Sequence, residues 1–122
     1  MKNLNKIQLK FENFNSRKIT LIALNIKYIN GKYYIIINVE SKIYDIDVLT
    51  KYFSSKMFKL SSIKDLGMFN GYLITLIVDN VLNKKLKDNY DFYIDYFLDI
   101  FYQEYDLSKS FLYEISTKPE YL

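Results

Sequence analysis

No histidine and no cysteine occurs in the 122 residues. Their absence excludes a Ser-His-Asp or Cys-His nucleophilic site and any zinc centre built on His or Cys. It also removes the one side chain whose ordinary pKa lies near neutrality. Without cysteine no disulfide framework marks an oxidising compartment. Glycine is scarce as well: Gly31, Gly67 and Gly71 are too few and too scattered for a phosphate loop or a dinucleotide fingerprint. A single proline and a 50% apolar content exclude a disordered tail. The longest apolar run, Tyr72 to Val78, is interrupted by Thr75 and falls far short of the ~20 residues that cross a bilayer. Met1 to Phe14 alternates polar and apolar residues and lacks the continuous apolar stretch of a signal peptide. A cytoplasmic protein without a membrane partner is therefore expected. The carboxylates, lysines and tyrosines that remain form no spacing tied to a reaction. The expectation is a non-enzyme with no catalytic, cofactor or metal site.

What is present is skewed. The chain holds 16 Ile, 16 Lys, 13 Tyr, 11 Asn and 9 Phe against one Ala and one Arg. The five abundant types are those that AT-only codons specify, so an AT-rich genome accounts for the bias without selection for tyrosine or lysine chemistry. The lone Arg17 weighs against nucleic-acid reading, which favours the bidentate guanidinium fork, although the same bias converts arginine to lysine. The length suits a single domain. The net charge of +3 conceals an asymmetry: residues 1–64 hold 12 basic and 4 acidic side chains (+8), and residues 65–122 hold 5 basic and 10 acidic (−5).

Residues 7–12 alternate with period two and predict a half-buried strand. Lys18–Ile29 and Lys32–Ser41, joined by Asn30-Gly31, predict a hairpin closed by a type I′ turn. Strict pairing from that turn sets Tyr28 against Tyr33. One face, the expected core face, then holds Thr20, Ile22, Leu24, Ile26 and Tyr28 with Tyr33, Ile35, Ile37 and Val39. The mixed outer face holds Ile19, Leu21, Ala23, Asn25 and Lys27 with Tyr34, Ile36, Asn38, Glu40 and Lys42. Asp45 or Asp47 caps a short helix to about Lys56. Met57–Phe69 reads as irregular. In 72–87 the β-rich residues and Asn70-Gly71 suit a strand, but apolar positions 74, 77, 78, 81 and 82 have helical spacing, and helix is the preferred reading. Asn89–Tyr105 predicts the clearest helix, capped by Asp88. Phe111–Ser116 suits a last strand, and Pro119 is expected to end regular structure. The predicted fold is α+β: an antiparallel meander of three to four strands covered on one face by two to three helices.

Three features carry functional weight. At about 100° per residue, Asp88, Asp91, Asp95, Asp99, Tyr102 and Asp106 fall in one arc of the 89–105 helix, with Tyr90, Tyr93, Ile94, Phe97 and Phe101 opposite. No lysine or arginine lies between Lys87 and Lys109, so the carboxylates have no i,i+4 partners. A solvated helix face is the plain account; the functional one is a docking surface for a basic protein, with Tyr102 as an edge anchor. Asp45-Ile46-Asp47 has the form of a Mg²⁺-holding Asp-x-Asp pair but sits where a helix cap is expected, and no second acidic cluster accompanies it. Lys27, Lys32, Tyr34, Asn25 and Asn38 compose a basic-aromatic patch of the kind that binds single-stranded nucleic acid, without the motifs of a known reader. The leading expectation is a small interaction protein, such as an anti-CRISPR-like inhibitor from a phage or mobile element, that docks through the acidic ridge on a nucleic-acid-processing protein. The alternatives are a nucleic-acid-binding module on the sheet patch, or a homodimer that buries Ile19, Leu21 and Ile36.

Overall fold

Asn30 and Gly31 both adopt positive φ, 50° and 83°, the signature of a type I′ turn. They join β1 (Ile19–Ile29) to β2 (Lys32–Ser41), with Tyr28 opposite Tyr33 as the turn dictates. The computed structural model describes residues 19–41, 45–67, 71–105, 108–109 and 119–121. The strands expected at 7–12 and 111–116 lie outside them.

The strict pairing fails beyond Ala23. The register shifts between Leu21 and Ala23, so that Ala23 opposes Asn38 while Leu21 opposes Val39. This β-bulge, one extra residue at Ile22, inverts the alternation of the first part of β1. Ile19 and Leu21 are buried in the core, whereas Thr20 and Ile22 are not, the reverse of the strict register. The physical reason is that Ile19, Leu21, Ile22 and Leu24 are all apolar, so burial is satisfied in either phase and the bulge selects one. A homodimer surface built on Ile19 and Leu21 is thereby removed, because both are core residues.

After β2, Asp45 caps α1 (Ile46–Phe53) by accepting from the Asp47 N–H at 2.9 Å, and the helix ends three residues earlier than expected. β3 (Phe58–Asp65) then occupies the stretch read as irregular. A second register shift, between Leu60 and Ser62, breaks its period-two pattern and accounts for the missed strand. The segment read as helical over 72–87 divides into β4 (Tyr72–Val78) and α2 (Asn80–Asp88). Asp79 separates them, its side chain accepting from the Leu82 N–H at 3.0 Å. β4 is apolar on its inner face and, apart from Thr75, on its outer one, which masked its alternation and mimicked helical spacing. Asn89 ends α2, and α3 (Tyr90–Tyr105) follows. Two short pieces, β5 (Ser108–Lys109) and β6 (Pro119–Tyr121), run parallel to β1. Pro119 therefore begins a strand, a position where its missing N–H is tolerated.

The four long strands are antiparallel neighbours in the order β3-β4-β2-β1, two hairpins side by side, with β5 and β6 beside β1. The class is α+β, and the helices cover one face of the sheet. Leu49, Tyr52 and Phe53 of α1, Leu82 and Leu86 of α2, and Phe97, Phe101 and Tyr105 of α3 join one buried cluster with the inward residues of the strands. Where β4 turns away into α2, the Asn83 amide continues the strand's hydrogen bonding. Its Oδ1 accepts from the Tyr33 N–H at 2.7 Å and its Nδ2 donates to the Gly31 carbonyl at 3.0 Å. The hairpin tip is thus tied to the helix layer.

Candidate functional site

The inward arc of α3 fixes what its outward face presents. Phe97, Phe101 and Tyr105 are buried, and Phe58 of β3 meets Phe97 and Phe101 edge-on at centroid separations of 5.6 and 5.5 Å. Such edge-to-face contacts orient the helix about its axis as well as attaching it. Asp91, Asp95 and Asp99 are consequently exposed, in a row with about 6 Å of rise between neighbours. Among the described residues the ion pair is Lys27 with Glu120, at 3.9 Å, and none of the three aspartates is ion-paired. Beside this row, Phe92 and Tyr96 are 71% and 55% exposed. At about 100° per residue they form a second stripe next to the acidic one. The outward face of α3 is therefore acidic along one side and aromatic along the other.

Three ridge residues stand differently from expectation. Asp88 is the last residue of α2 and not the cap of α3; Asn89 occupies the junction with φ −156° and ψ 78°, and its carbonyl accepts from the Tyr93 N–H at 3.2 Å. The change of direction at Asn89 breaks the angular count that tied Asp88 to the ridge, although its side chain is exposed. Tyr102 is half-buried, its ring 5.6 Å from that of Phe101, and desolvation raises its pKa, so it forms the shoulder of the ridge and not a projecting anchor. Asp106 lies outside the described residues. The sequence pattern did not single out Phe92 and Tyr96 because they lie between the apolar arc and its charged opposite. The signal was present, since two aromatics four residues apart fall off the inward arc.

The second patch also assembles. Asn25, Lys27, Tyr34 and Asn38 lie on the outer sheet face, away from the helices, and Lys32 joins them at the start of β2. The register adds lysines from the far edge: one row across the sheet runs Lys27–Tyr34–Ile77–Lys59, and another ends Asn38–Leu73–Lys64. Lys59 and Lys64 are exposed, while Tyr34, Ile36, Leu73 and Ile77 of β2 and β4 are half-buried. The face is a largely apolar strip, with Thr75 and Asn38 in it, between lysines of β1 and β3; Glu120 of β6 continues the first row beyond Lys27, and Tyr34 is the only aromatic in these rows. Asn38 Oδ1 is buried among them without a donor.

Other candidates reduce to structure. The Asp45 carboxylate serves as a helix cap. Among the described residues no group of three acidic side chains is placed to hold a metal ion. Tyr28, Tyr33, Tyr90 and Tyr121 gather at the hairpin tip with successive centroid separations of 4.7 to 5.8 Å. At these separations the rings touch one another and make a packed cluster, not a ligand cage. No helix among the described residues is long and apolar enough to cross a membrane. The sequence matches no protein-family model and no curated protein, and the fold matches no solved structure.

Proposed function

We propose that this protein is a non-enzymatic interaction protein whose outward α3 face docks on a basic surface of another protein. The observation that carries the reading is the pairing of two stripes: Asp91, Asp95 and Asp99, without ion-pair partners among the described residues, beside Phe92 and Tyr96 at 71% and 55% exposure. A helix face that meets only water is served by the acids alone. Two large exposed aromatics leave apolar area in water that burial would stabilise at about 25 cal/mol per Å². Aromatic anchors bordered by charge are the composition of energetic centres at protein interfaces, where the aromatics supply affinity and the charges steer and orient. Carboxylates at about 6 Å intervals along a rigid helix also suit a groove built for a nucleic-acid backbone. An inhibitor of a nucleic-acid-processing protein, anti-CRISPR-like and encoded by a phage or mobile element, is the concrete form we favour. The amino-acid bias toward residues of AT-only codons supports it.

The test is affinity capture from lysate, with and without nuclease, using the wild type and the Asp91→Asn/Asp95→Asn/Asp99→Asn variant. The reading expects a nuclease-resistant protein partner whose recovery falls at least tenfold with the variant, while the variant's Tm stays unchanged. Equal recovery with both would reduce the ridge to a solvated face.

A further inference from the structure

The molecule carries its own candidate for the basic surface. α3 packs on the inner face of the sheet and turns its acidic and aromatic stripes outward, whereas the strip between the lysines of β1 and β3 occupies the outer face. The two surfaces point away from each other, so they cannot meet within one chain. They can meet between two.

We propose that the outward face of α3 docks across the outer sheet face of a second copy of this chain, giving head-to-tail association. This rests on the reading of α3 as a docking surface and names a partner for it. Three properties match. The first is length: Asp91 and Asp99 are eight residues apart, about 12 Å along a helix. Lys27 of β1 and Lys59 of β3 stand in one row, three strand spacings or about 14 Å apart, and Glu120 of β6 continues that row beyond Lys27. The second is the order of chemistry. Tyr34, Ile36, Leu73 and Ile77, with Thr75 among them, stand between the lysines of β1 and β3, so a helix laid across the strands sets Phe92 and Tyr96 on this largely apolar strip and its aspartates against the lysines. The third is sign. The outer rows carry Lys27, Lys32, Lys59 and Lys64 against Glu40 and Glu120, of which Glu120 already faces Lys27 at 3.9 Å. Two such faces would repel one another, which disfavours a symmetric sheet-to-sheet dimer and favours an acidic occupant. A single half-buried aromatic in these rows is a poor platform for stacking successive bases.

Because the two surfaces differ, the contact is heterologous and does not close on itself after two subunits; it continues into rings or open chains. One helix face on one sheet is a small interface, which implies a weak, concentration-dependent equilibrium.

The experiment follows from the two distinct faces. Sedimentation velocity of the wild type at rising concentration is compared with two variants, Asp91→Asn/Asp95→Asn/Asp99→Asn and Lys27→Gln/Lys59→Gln/Lys64→Gln, whose folding is checked by circular dichroism. The wild type is expected to grow beyond its 14.7 kDa monomer mass as concentration rises, and to weaken at least ~tenfold in association constant when salt screens the contact. Each variant alone stays monomeric. Mixed in equal amounts, the two stop at a 1:1 dimer, because the intact ridge of one meets the intact sheet face of the other. A wild type that stays monomeric at low salt and millimolar concentration overturns the proposal and leaves the lysate capture untouched as a test of the ridge. Association that survives in either variant alone, or nucleic acid recovered on the sheet face in place of a second copy, also overturns it.

Discussion

At the residue scale, a few positions admit one side chain for reasons that can be written in ångströms. Gly71 has φ of 79°, and a Cβ built there would lie 2.1 Å from the Val39 carbonyl oxygen. Gly31 has a similar φ of 83°, but a Cβ there meets nothing within 4 Å. Gly31→Ala should therefore cost the left-handed backbone penalty alone, about 1–2 kcal/mol, and Gly71→Ala distinctly more, because the backbone of β2 must also move. Urea midpoints of the two variants check this, and equal losses would contradict it. Gly31 was legible as a turn residue in its Asn-Gly pair, whereas Asn70-Gly71 offered a turn only under the strand reading of 72–87, which was not the preferred one. The close approach at Gly71 was not legible, because it depends on β4 lying beside β2, which no local pattern announces. Tyr105 provides a second test. Its hydroxyl donates to the Phe53 carbonyl at 2.9 Å, and burial pushes its pKa up; nearby Glu104 adds to the rise and a hydrogen bond with Ser55 opposes it. The unfolded chain ionises this group near pH ~10, so its contribution to stability is complete below that value. Above it the unfolded state loses a proton that the folded state keeps, and stability falls as pH rises, by about 1.4 kcal/mol per pH unit for this group. Urea midpoints at pH 9 and pH 11 should fall less in Tyr105→Phe than in the wild type.

At the element scale, local chemistry announced the hairpin and the α1 cap correctly and misread the places where registers shift. In β1 the bulge at Ile22 sends Leu21 into the core at 0% exposure and leaves Ile22 half-buried on the other side. Leu21→Ala is expected to cost about 2–5 kcal/mol and Ile22→Ala clearly less. The opposite ranking in denaturant unfolding would restore the strict alternation and dismiss the bulge. Bulges were illegible here because consecutive apolar residues bury well in either phase. β3 was hidden by the same device, and as an edge strand with Lys59, Ser61, Ser62 and Lys64 exposed it had no apolar alternation to display. A bulge and exposed lysines are also how an edge strand avoids pairing with other chains. β4 and α2 merged into one apparent helix because two of the three outward positions of β4, Leu73 and Ile77, are as apolar as its inward ones, and the third, Thr75, falls in step with the polar positions of α2. Only Asp79 marked the boundary. Most of the inward arc of α3 was legible, since sixteen residues of 3.6-period patterning leave little ambiguity; Phe97 and Phe101 were read as inward, while the buried Tyr105 was not singled out.

At the scale of the whole molecule, the outer sheet face and the α3 ridge carry charge of opposite sign. The basic strands expose Lys27, Lys32, Lys59 and Lys64 around the outer sheet face, and α3 exposes Asp91, Asp95 and Asp99 on the far side of the helix layer. Lys27, Lys32 and the three aspartates were legible from composition and periodicity. What the fold added was Lys59 and Lys64, delivered by a strand the sequence concealed, and the aromatic stripe beside the acids. Since Phe92 and Tyr96 make little of the core, Phe92→Ala/Tyr96→Ala should change stability by no more than about 1 kcal/mol. The same substitution should lower partner capture at least as much as loss of the aspartates. Capture unaffected by it would leave charge alone as the basis of docking.

The most direct measurement places a photo-reactive benzoylphenylalanine at Phe92 in one preparation and at Asn25, exposed on the outer sheet face, in another, and irradiates each in lysate. The account predicts a protein adduct at position 92 that disappears when Asp91, Asp95 and Asp99 are replaced by Asn. No adduct at position 92, or one indifferent to loss of the three aspartates, would contradict it.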